Sequence, residues 1–588
     1  MKKIISLLLA LTCIIGSALT LVSCGAPKDA GAEIKVYLGE KVYDFDPTDY
    51  YVDSNAELVM SLLYDPLFRV NEKGKLKCDG AADSYKVDEK TNTIVIDLKE
   101  TYWSDGVRVK ADDYIYAWRN VLLNPNDANP AASLLYDIEN AVKVKNAEIS
   151  AFEFGAVASA TYQITIKYRN GANYEQLLKN LASVASAPIR QDIATSATSG
   201  YWSKLVNTAV TNGPFMVSRI SADKSFTLAR NEGYHQELGL KNPYKNVNPA
   251  KLIGVSEATY ADIENKVVFY MTDAPLAERA EYEKKASVAD DLSTYTYVFN
   301  TDKELFKIPE VRKALSLAID RDAIIDAITF GKAATGFLPD SVLDPATGKS
   351  FNKKVDELIS TSKKVSDAEA LLASVDLSNV DKSFTLTVNN DEESLAIASI
   401  VKAAWDSLGF SVTVKPVGYV EITVGEGATS NVIRDSEIQV LVNNAAREDF
   451  YVADENGVKS RGFDVIGIDW QMYSTDPFVA LSAFADKFSG SGVSLPGHEI
   501  AYTNIAGYSS EAYNALIKKA YNEVVLEKRS EILHEAEKML VESACVIPLV
   551  FNQTFTFEHK HISGVDFDGF GNIIMTDMKQ KKYKKYLG

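Results

Sequence analysis

The sequence predicts an α/β fold with more than one domain, in which helices pack against strands through short connections. Residues 91–123 have the pattern of an alternating apolar strand, a turn, a second short strand and an amphipathic helix. Residues 397–414 repeat apolar side chains at helical spacing up to Gly409 and then alternate as a strand. A chain of 588 residues is too long for one compact core, so we expect roughly two to four domains.

The first of these units follows from local chemistry. Ser104-Asp105-Gly106 predicts the turn, and residues 107–109 alternate as the second short strand. Asp112 or Asp113 is suited to cap the helix, which we expect to end before Pro125. The unit therefore predicts two short strands with a helix packed behind them.

Composition argues against several classes of function. The chain is 46% hydrophobic and 24% charged, which is typical of a soluble globular protein. Its net charge of −18 argues against a nucleic-acid partner, which requires clustered Lys and Arg. With five histidines, four cysteines and no Cys-x-x-Cys, we expect neither a metal site nor a cofactor.

Two stretches approach catalytic motifs, and each lacks an essential residue. His534-Glu535 begins like a zinc-protease helix, but Lys538 stands where the second His is required. Gly348-Lys349-Ser350 ends like a phosphate-binding loop, but Leu343 replaces its first Gly. No Gly-x-Ser-x-Gly occurs. We therefore expect a protein that is not an enzyme.

The first residues have the pattern of a secretory signal. Lys2 and Lys3 precede a mostly apolar run over residues 4–22, and small residues follow. The run is also nearly long enough for an uncleaved membrane anchor. Leu21-Val22-Ser23-Cys24 resembles the lipobox of bacterial lipoproteins, in which the cysteine becomes the lipidated first residue. This resemblance implies contact with the membrane through lipid on Cys24, followed by a flexible tether.

Several longer motifs together resemble one family. They are Trp-Ser-Asp-Gly at 103–106 followed by Val-Lys-Ala-Asp-Asp-Tyr at 109–114, Gly-Pro-Phe at 213–215, and the helical string at 311–321. Their order is similar to that of the extracellular solute-binding proteins of family 5, the peptide-capturing subunits of bacterial ABC importers. The resemblance covers about residues 33–575.

The resemblance implies an α/β fold of the type II periplasmic-binding-protein class, with two lobes joined by hinge strands and an additional inserted domain. It predicts a signal peptide at 1–23, a tether at 24–32, domain I at 33–75, 205–290 and 552–588, an inserted domain II at 76–204, and domain III at 291–551. An oligopeptide would be enclosed between the lobes by hinge closure and delivered to the permease subunits. We expect a monomer, lipid-anchored on the outer face of the cell membrane.

The resemblance also implies that residues 467–478 line the ligand cavity. Family members carry Gly-Trp-x-x-Asp-Tyr-x-Asp-Pro there, and the Asp three residues after Trp often pairs with the α-ammonium of a peptide. In this chain Trp470 and Asp476 match, whereas Tyr473 replaces that Asp and Asp469 replaces the Gly. Tyrosine is neutral at pH 7 and supplies no counter-charge. Either Asp469 or Asp476 replaces the anchor, or the ligand has no free amino terminus.

Our hypothesis assigns the peptide ammonium to Asp469 and packing on the peptide to Trp470. Asp476 is the weaker candidate, because it can instead cap the next helix. Asn55 completes the expected ligand-binding set, since residues 46–68 resemble the family's ligand-facing wall. Without the family, residues 467–478 are more typical of a turn with a packed aromatic residue than of a binding site.

Three further expectations follow. The alternatives to an importer subunit are a lipid-anchored peptide sensor or adhesin, or a receptor for another solute. Cys78 and Cys545, the two thiols left in the body of the protein after cleavage and lipidation of Cys24, belong to different regions and should be unpaired. The lysine-rich stretch 579–585 is either a solvated tail or a contact with an anionic surface.

Overall fold

The structure is a computed structural model that describes residues 31–39, 42, 44–50, 54–123, 130–196, 202–204, 209–221, 225–236, 246–354, 357–424, 431–446, 451–453, 459–489 and 504–586. The predicted signal segment and Cys24 lie outside these ranges. Ala32 is already buried, so the fold includes the end of the predicted tether.

The described residues form 25 strands. In chain order they are β1 Glu33–Tyr37, β2 Arg69–Val70, β3 Leu76–Lys77, β4 Ala82–Asp88, β5 Thr93–Leu98, β6 Ala156–Ala160, β7 Gln163–Lys167, β8 Phe215–Ile220, β9 Phe226–Arg230, β10 Lys251–Gly254, β11 Tyr270–Met271, β12 Ser287–Phe299, β13 Lys332–Ala333, β14 Ser383–Asn389, β15 Ser411–Val417, β16 Tyr419–Val424, β17 Asn431–Ser436, β18 Val452–Ala453, β19 Lys459–Ser460, β20 Val465–Gln471, β21 Val546–Glu558, β22 Ile562–Ser563, β23 Asp566–Phe567, β24 Ile573–Ile574 and β25 Lys579–Gln580.

Helices cover both faces of these strands. The α-helices are Ser54–Leu63, Ala111–Leu123, Ala141–Lys145, Tyr174–Asn180, Gln191–Ala194, Tyr260–Glu264, Leu276–Tyr282, Glu304–Lys307, Pro309–Leu317, Arg321–Ile328, Val365–Ala373, Glu392–Ser407, Glu437–Ala445, Pro477–Ser482, Glu511–Asn522 and Leu526–Ser543. Short 3₁₀ helices are Pro130–Leu135, Ala151–Glu153, Val184–Ser186, Glu283–Lys285, Phe351–Lys354 and Tyr583–Lys585. Within the described ranges, no helix combines the length and apolar character needed to cross a membrane.

One large sheet of eleven strands runs through the molecule. Its order is β15-β14-β20-β12-β21-β11-β1-β10-β9-β8, with β13 also paired to β21. Strands β12 and β21, each 13 residues long, pair antiparallel in the middle. On one side β21 pairs with β11, and on the other β12 pairs with β20. We call residues 31–290 with 552–586 the first part and residues 291–551 the second part, and β12 and β21 cross between them.

The second part shows why the helical pattern of residues 397–408 predicted its structure well. Ile397, Val401 and Trp405 recur every four residues, so one face of the helix Glu392–Ser407 is apolar and packs on β14 and β15. The indole Nε1 of Trp405 donates a hydrogen bond to the Leu315 carbonyl at 2.9 Å. The helix–strand unit predicted here is confirmed.

The smaller sheet, β4-β5-β7-β6, carries the turn and helix of the first motif. The helix begins at Ala111, and its third residue, Asp113, accepts hydrogen bonds from the Lys110 N–H at 2.9 Å and from Trp103 Nε1 at 3.0 Å. Asp113 therefore caps the helix from inside and ties the turn to it. The second strand predicted at 107–109 is wrong: only an isolated bridge to Tyr102 forms, because the chain enters the helix directly afterwards.

The two cysteines within the described residues behave as expected. Cys78 is half-buried and Cys545 is buried, and both are free thiols. Burial raises the pKa of the Cys545 thiol to about 11, which makes it a poor nucleophile. The prediction that both are unpaired is confirmed.

Candidate ligand-binding site between the two parts

The two parts meet at the loop that follows β20. The hydroxyl of Tyr473 accepts a hydrogen bond from the Tyr50 backbone N–H at 3.2 Å, and the two rings lie 4.7 Å apart. Ser474 Oγ donates to Asn180 Oδ1 at 2.7 Å. All four side chains are buried. Tyr473 has φ of 59°, a left-handed conformation that costs ~1–2 kcal/mol for a residue with a Cβ, so its contacts must hold this loop in shape.

A second contact joins the parts through aromatic residues. The Tyr136 hydroxyl donates to the Phe488 carbonyl at 2.6 Å, and the Tyr521 hydroxyl donates to the Tyr136 carbonyl at 2.9 Å. The guanidinium of Arg169 lies 3.8 Å from the centre of the Tyr521 ring, which is cation–π geometry. This contact buries large apolar surface, so it contributes substantially to holding the parts together.

The third contact is acidic. Lys204 of the first part forms ion pairs with Asp44, at 3.4 Å, and with Asp435 of the second part. Gln439 Nε2 donates to Asp49 Oδ1 at 3.2 Å. Burial, followed by the charges of neighbouring aspartates, raises the pKa of Asp49 to about 8. Bringing the parts together here therefore concentrates carboxylates around one lysine.

The structure places the predicted Asp469 and Trp470 on opposite faces of β20, because consecutive strand residues alternate. Trp470 is 2% exposed and stacks on Phe484, with ring centres 4.9 Å apart, while Phe337 meets its edge. Its indole Nε1 has no hydrogen-bond partner among the described residues. A ligand lying on one face of β20 reaches only one of the two predicted side chains.

Asp469 belongs to a row of polar side chains that crosses the central strands. Asn552 Nδ2 on β21 donates to Asp469 Oδ1 at 2.7 Å and to Ser293 Oγ at 2.8 Å. Ser293 Oγ in turn donates to Asp291 Oδ2 at 3.3 Å. The row runs from Asp291, where the second part begins on β12, to Asp469, and Asp469 remains half-buried.

Two more carboxylates lie close to Asp291 and were missed by the sequence. Burial, then Asp291 and Asp568, raise the pKa of Glu57 well above its ordinary value. Burial also raises the pKa of Asp291 to about 6 and that of Asp568 above its usual range. Glu57, Asp291 and Asp568 come from distant segments without a shared motif, so no sequence signal indicated the cluster.

Asp476 and Asn55 have structural neighbours. Asp476 is 3% exposed, and its carboxylate accepts hydrogen bonds from Arg529 at 2.9 and 3.1 Å and from the Phe478 N–H at 3.1 Å. It therefore caps the helix Pro477–Ser482, the alternative expected from the sequence.

Asn55 is the second residue of the helix Ser54–Leu63 and lies against the backbone of Gly39. The roles of Asp476 and Asn55 in ligand binding stay predictions.

Trp470 is supported from behind by a buried carboxylate. Glu537, on the helix Leu526–Ser543, is 1% exposed, and its Oε1 accepts hydrogen bonds from the Phe337 and Leu338 N–H groups, both at 2.9 Å. Burial raises the pKa of Glu537 to about 7. This carboxylate fixes the loop whose Phe337 ring packs on Trp470.

We predict that Glu537 makes stability pH-dependent. Its pKa is higher in the folded state, so folding is favoured most below the ordinary pKa and stability is lost as pH rises through about 7. Glu537→Gln keeps an acceptor oxygen without the charge. In this variant the fall in the free energy of unfolding with rising pH should be smaller by roughly 2–4 kcal/mol. Urea unfolding at about pH 5 and about pH 8 measures the effect. Glu535→Gln, an exposed change on the same helix, is the control, and an equal response of both variants would contradict the assignment.

In the part of the chain that the structure describes, no group of three or more His, Cys, Asp or Glu side chains is arranged to hold an ion. The His534 ring stacks on Phe351 at 3.7 Å between centres, and burial lowers its pKa. The residues where the two parts meet are instead mostly carboxylates and aromatic rings.

Comparison with known proteins identifies the family to which the chain belongs. The profile of the bacterial extracellular solute-binding proteins, family 5 (middle region), matches residues 79–492, so the chain belongs to that family. The oligopeptide-binding protein OppA of Bacillus subtilis is 23% identical over 546 residues, which are 89% of this chain and 88% of that protein. The structure of Listeria monocytogenes OppA bound to peptide has a TM-score of 0.74 and 18% identity, over 94% of this chain and all of that one.

One relative is represented by two structures. The Escherichia coli murein tripeptide binding protein MppA gives a TM-score of 0.71 with 19% identity, covering 94% of this chain and 98% of that one. MppA in its unliganded open form gives 0.54 with 20% identity, covering 94% and 99%. Because the two comparisons cover nearly the same share of both chains, the difference in TM-score reflects a different spatial arrangement in the two MppA structures. The predicted fold class is confirmed.

Proposed function

We propose that this protein is the membrane-anchored, extracytoplasmic receptor of an ABC importer that captures oligopeptides between its two parts and delivers them to the permease. The observation that carries the proposal is the interface around the end of β20, where both parts contribute to one site. Family membership and the peptide-binding relatives support the substrate class. The lobes of this monomeric receptor would follow the division predicted from the sequence, with residues 291–551 as the second lobe.

The large sheet offers an edge for an extended peptide. β14 and β20 pair only at Leu386 with Val465 and at Thr387 with Ile466, and β20 continues over residues 467–471. A peptide can add as a strand to such an edge through its own backbone, whatever its side chains. This mode suits a receptor for peptides of varied sequence, with side-chain pockets deciding preference.

Hinge closure is the mechanism that we propose for capture. The contacts of Tyr473, Ser474 and Asp435 with the first part form only when the parts are together. A solute that touches both parts favours that state over an open one. The lower similarity to the open form of MppA supports a closed arrangement here.

Small-angle scattering tests closure. A saturating peptide should lower the radius of gyration and give a curve matching the one calculated from this structure, with an unchanged far-UV circular dichroism spectrum. Ser474→Ala removes one buried hydrogen bond between the parts. The peptide concentration that gives half of the compaction should therefore rise by roughly 3–10-fold. Ser407→Ala, whose hydroxyl bonds only within its own helix region, is the matched control. A radius that stays constant at saturation would rule out closure.

We call the connected side chains of Asp469, Asn552, Ser293 and Asp291 the polar row. In our proposal this row provides the charge that pairs with the ligand's amino terminus. Asp469 is half-buried, is bonded to the neutral Asn552 amide, and lies at the end of β20 where a peptide would bind. An ammonium group enclosed without a counter-charge would cost several kcal/mol. We propose that Asp469 supplies that charge, with Asp291 at the other end of the row as the alternative carboxylate.

We predict that Asp469→Asn weakens peptides with a free amino group by roughly 2–4 kcal/mol and leaves N-acetylated peptides almost unaffected, because only the charge is lost. Calorimetric titration of both peptide forms measures the difference. Asp291→Asn is titrated in parallel. If only that variant loses affinity for peptides with a free amino group, the ammonium pairs with Asp291 instead of Asp469. The same loss for both peptide forms, or no loss, would refute the role of Asp469.

The anchor of the receptor is proposed from the sequence pattern at Cys24. A lipidated cysteine followed by a short tether holds the folded chain at the membrane without a spanning helix. Cys24→Ala should therefore release the protein from the membrane fraction or block its processing. Fractionation with radiolabelled palmitate measures both location and lipid. Processed Cys24→Ala protein that still sediments with membranes would contradict the proposal.

A further inference from the structure

The lysine-rich C-terminal segment is a packed element of the first part. β25 pairs with β22 through Gln580 with Ile562 and Lys579 with Ser563, and the Lys581 N–H donates to the His561 carbonyl at 2.8 Å. The Tyr586 ring lies 5.0 Å from that of Phe269, and its hydroxyl lies 3.1 Å from His561 Nδ1. The loose tail expected from the sequence is therefore replaced by a fixed surface.

This surface presents a concentration of positive charge. Four exposed lysines, Lys266, Lys560, Lys581 and Lys582, act on the His561 ring, and the same C-terminal segment carries three more exposed lysines, Lys579, Lys584 and Lys585. Among the described residues none of them forms an ion pair, and we call them the basic face. The acids nearest in sequence are Glu558, Asp566 and Asp577. The face is unusual because the whole chain carries a net charge of −18.

Two histidines beside the basic face respond to its field. Burial, followed by His561, Lys560 and Lys266, lowers the pKa of His559. Burial, followed by four of the lysines, lowers the pKa of His561. The largest charge effects on both rings come from cations, which indicates a positive potential at this surface.

The chain enters the fold next to the basic face. The Ala32 carbonyl accepts a hydrogen bond from the Ala250 N–H at 2.9 Å, and the Asn248 N–H donates to the Thr576 carbonyl at 2.8 Å. Residues 31 and 32 thus lie beside the segment that leads into Lys579. Residues 24–30 can span at most about 25 Å even when fully extended. A lipid on Cys24 would hold this side of the molecule close to the membrane.

We propose that the basic face docks on anionic phospholipid headgroups of the membrane that carries the lipid anchor. The choice of this surface rests on the proposed anchor, whereas the charge and its placement rest on the structure. Each lysine near an anionic bilayer strengthens binding by about fivefold at low ionic strength. Docking would fix the first part at the membrane and leave the second part free to open and close above it.

Vesicle co-sedimentation of the unlipidated protein, residues 25–588, tests the proposal independently of the anchor. The protein should bind phosphatidylcholine vesicles that contain phosphatidylglycerol, should not bind pure phosphatidylcholine, and should be released by salt. Replacing Lys579, Lys581, Lys582, Lys584 and Lys585 together by Gln should lower the partition coefficient by more than a hundredfold, at about fivefold per lysine. Replacement of the same five by Arg should preserve binding.

The control replaces five other exposed lysines of the first part by Gln: Lys73, Lys75, Lys77, Lys86 and Lys90. Thermal unfolding of each variant shows that it is folded, and peptide binding should be unchanged in all. Equal loss in the control set, binding to neutral vesicles, or no binding to anionic vesicles would overturn the basic face as a membrane contact. Because this protein carries no lipid, those outcomes leave the Cys24 anchor and the peptide site to be judged by their own experiments.

Discussion

The antiparallel pairing of β12 with β21 is the constraint on which the rest of the structure depends. Each strand is long enough to serve both halves of the sheet, so the halves share a backbone instead of being joined by loops. The register of the pair breaks between Asp290 and Thr294, at the point where β12 begins to pair with β20. Residues 291–293 therefore lie at the junction of the two parts. Any change in their relative orientation must act on this short segment, next to the polar row.

Three buried carboxylates lie at the junction of the two parts. Burial raises the pKa values of Glu57, Asp291 and Asp568, and the charge of Asp568 adds to the effect on Glu57 and Asp291. Arg69, which bonds to Asp65 at 2.8 Å, is the cation that acts on Asp568. A positive group placed among these acids would relieve the repulsion between them. The same logic applies where Lys204 is shared by Asp44 and Asp435.

The sequence predicted elements wherever one periodicity dominates and a local signal ends it. The helix–strand unit predicted around Gly409 is present, and the string with Trp103 folds around Asp113. Local sequence patterns do not predict the full length of β12 and β21, because that length is set by partner strands far away in the chain. They also miss Glu57 and Glu537, since a single carboxylate in a helix looks solvated until tertiary packing buries it. Asp476 could be interpreted from sequence as a cap, but its partner Arg529 could not.

Tyr473 shows how the site differs from its family pattern in physical terms. Relatives are expected to carry a carboxylate at this position, and a carboxylate buried between the parts would need a cation from the ligand. A neutral phenol has no such need: it accepts the Tyr50 N–H and packs on the Tyr50 ring. The parts can therefore meet here whatever charge the ligand carries. In the proposed mechanism, recognition of ligand charge belongs to the polar row, where Asp469 is half-buried and is bonded to the neutral amide of Asn552. Closure and charge recognition, which one aspartate would combine, would then be separated onto different residues of the same strand and loop.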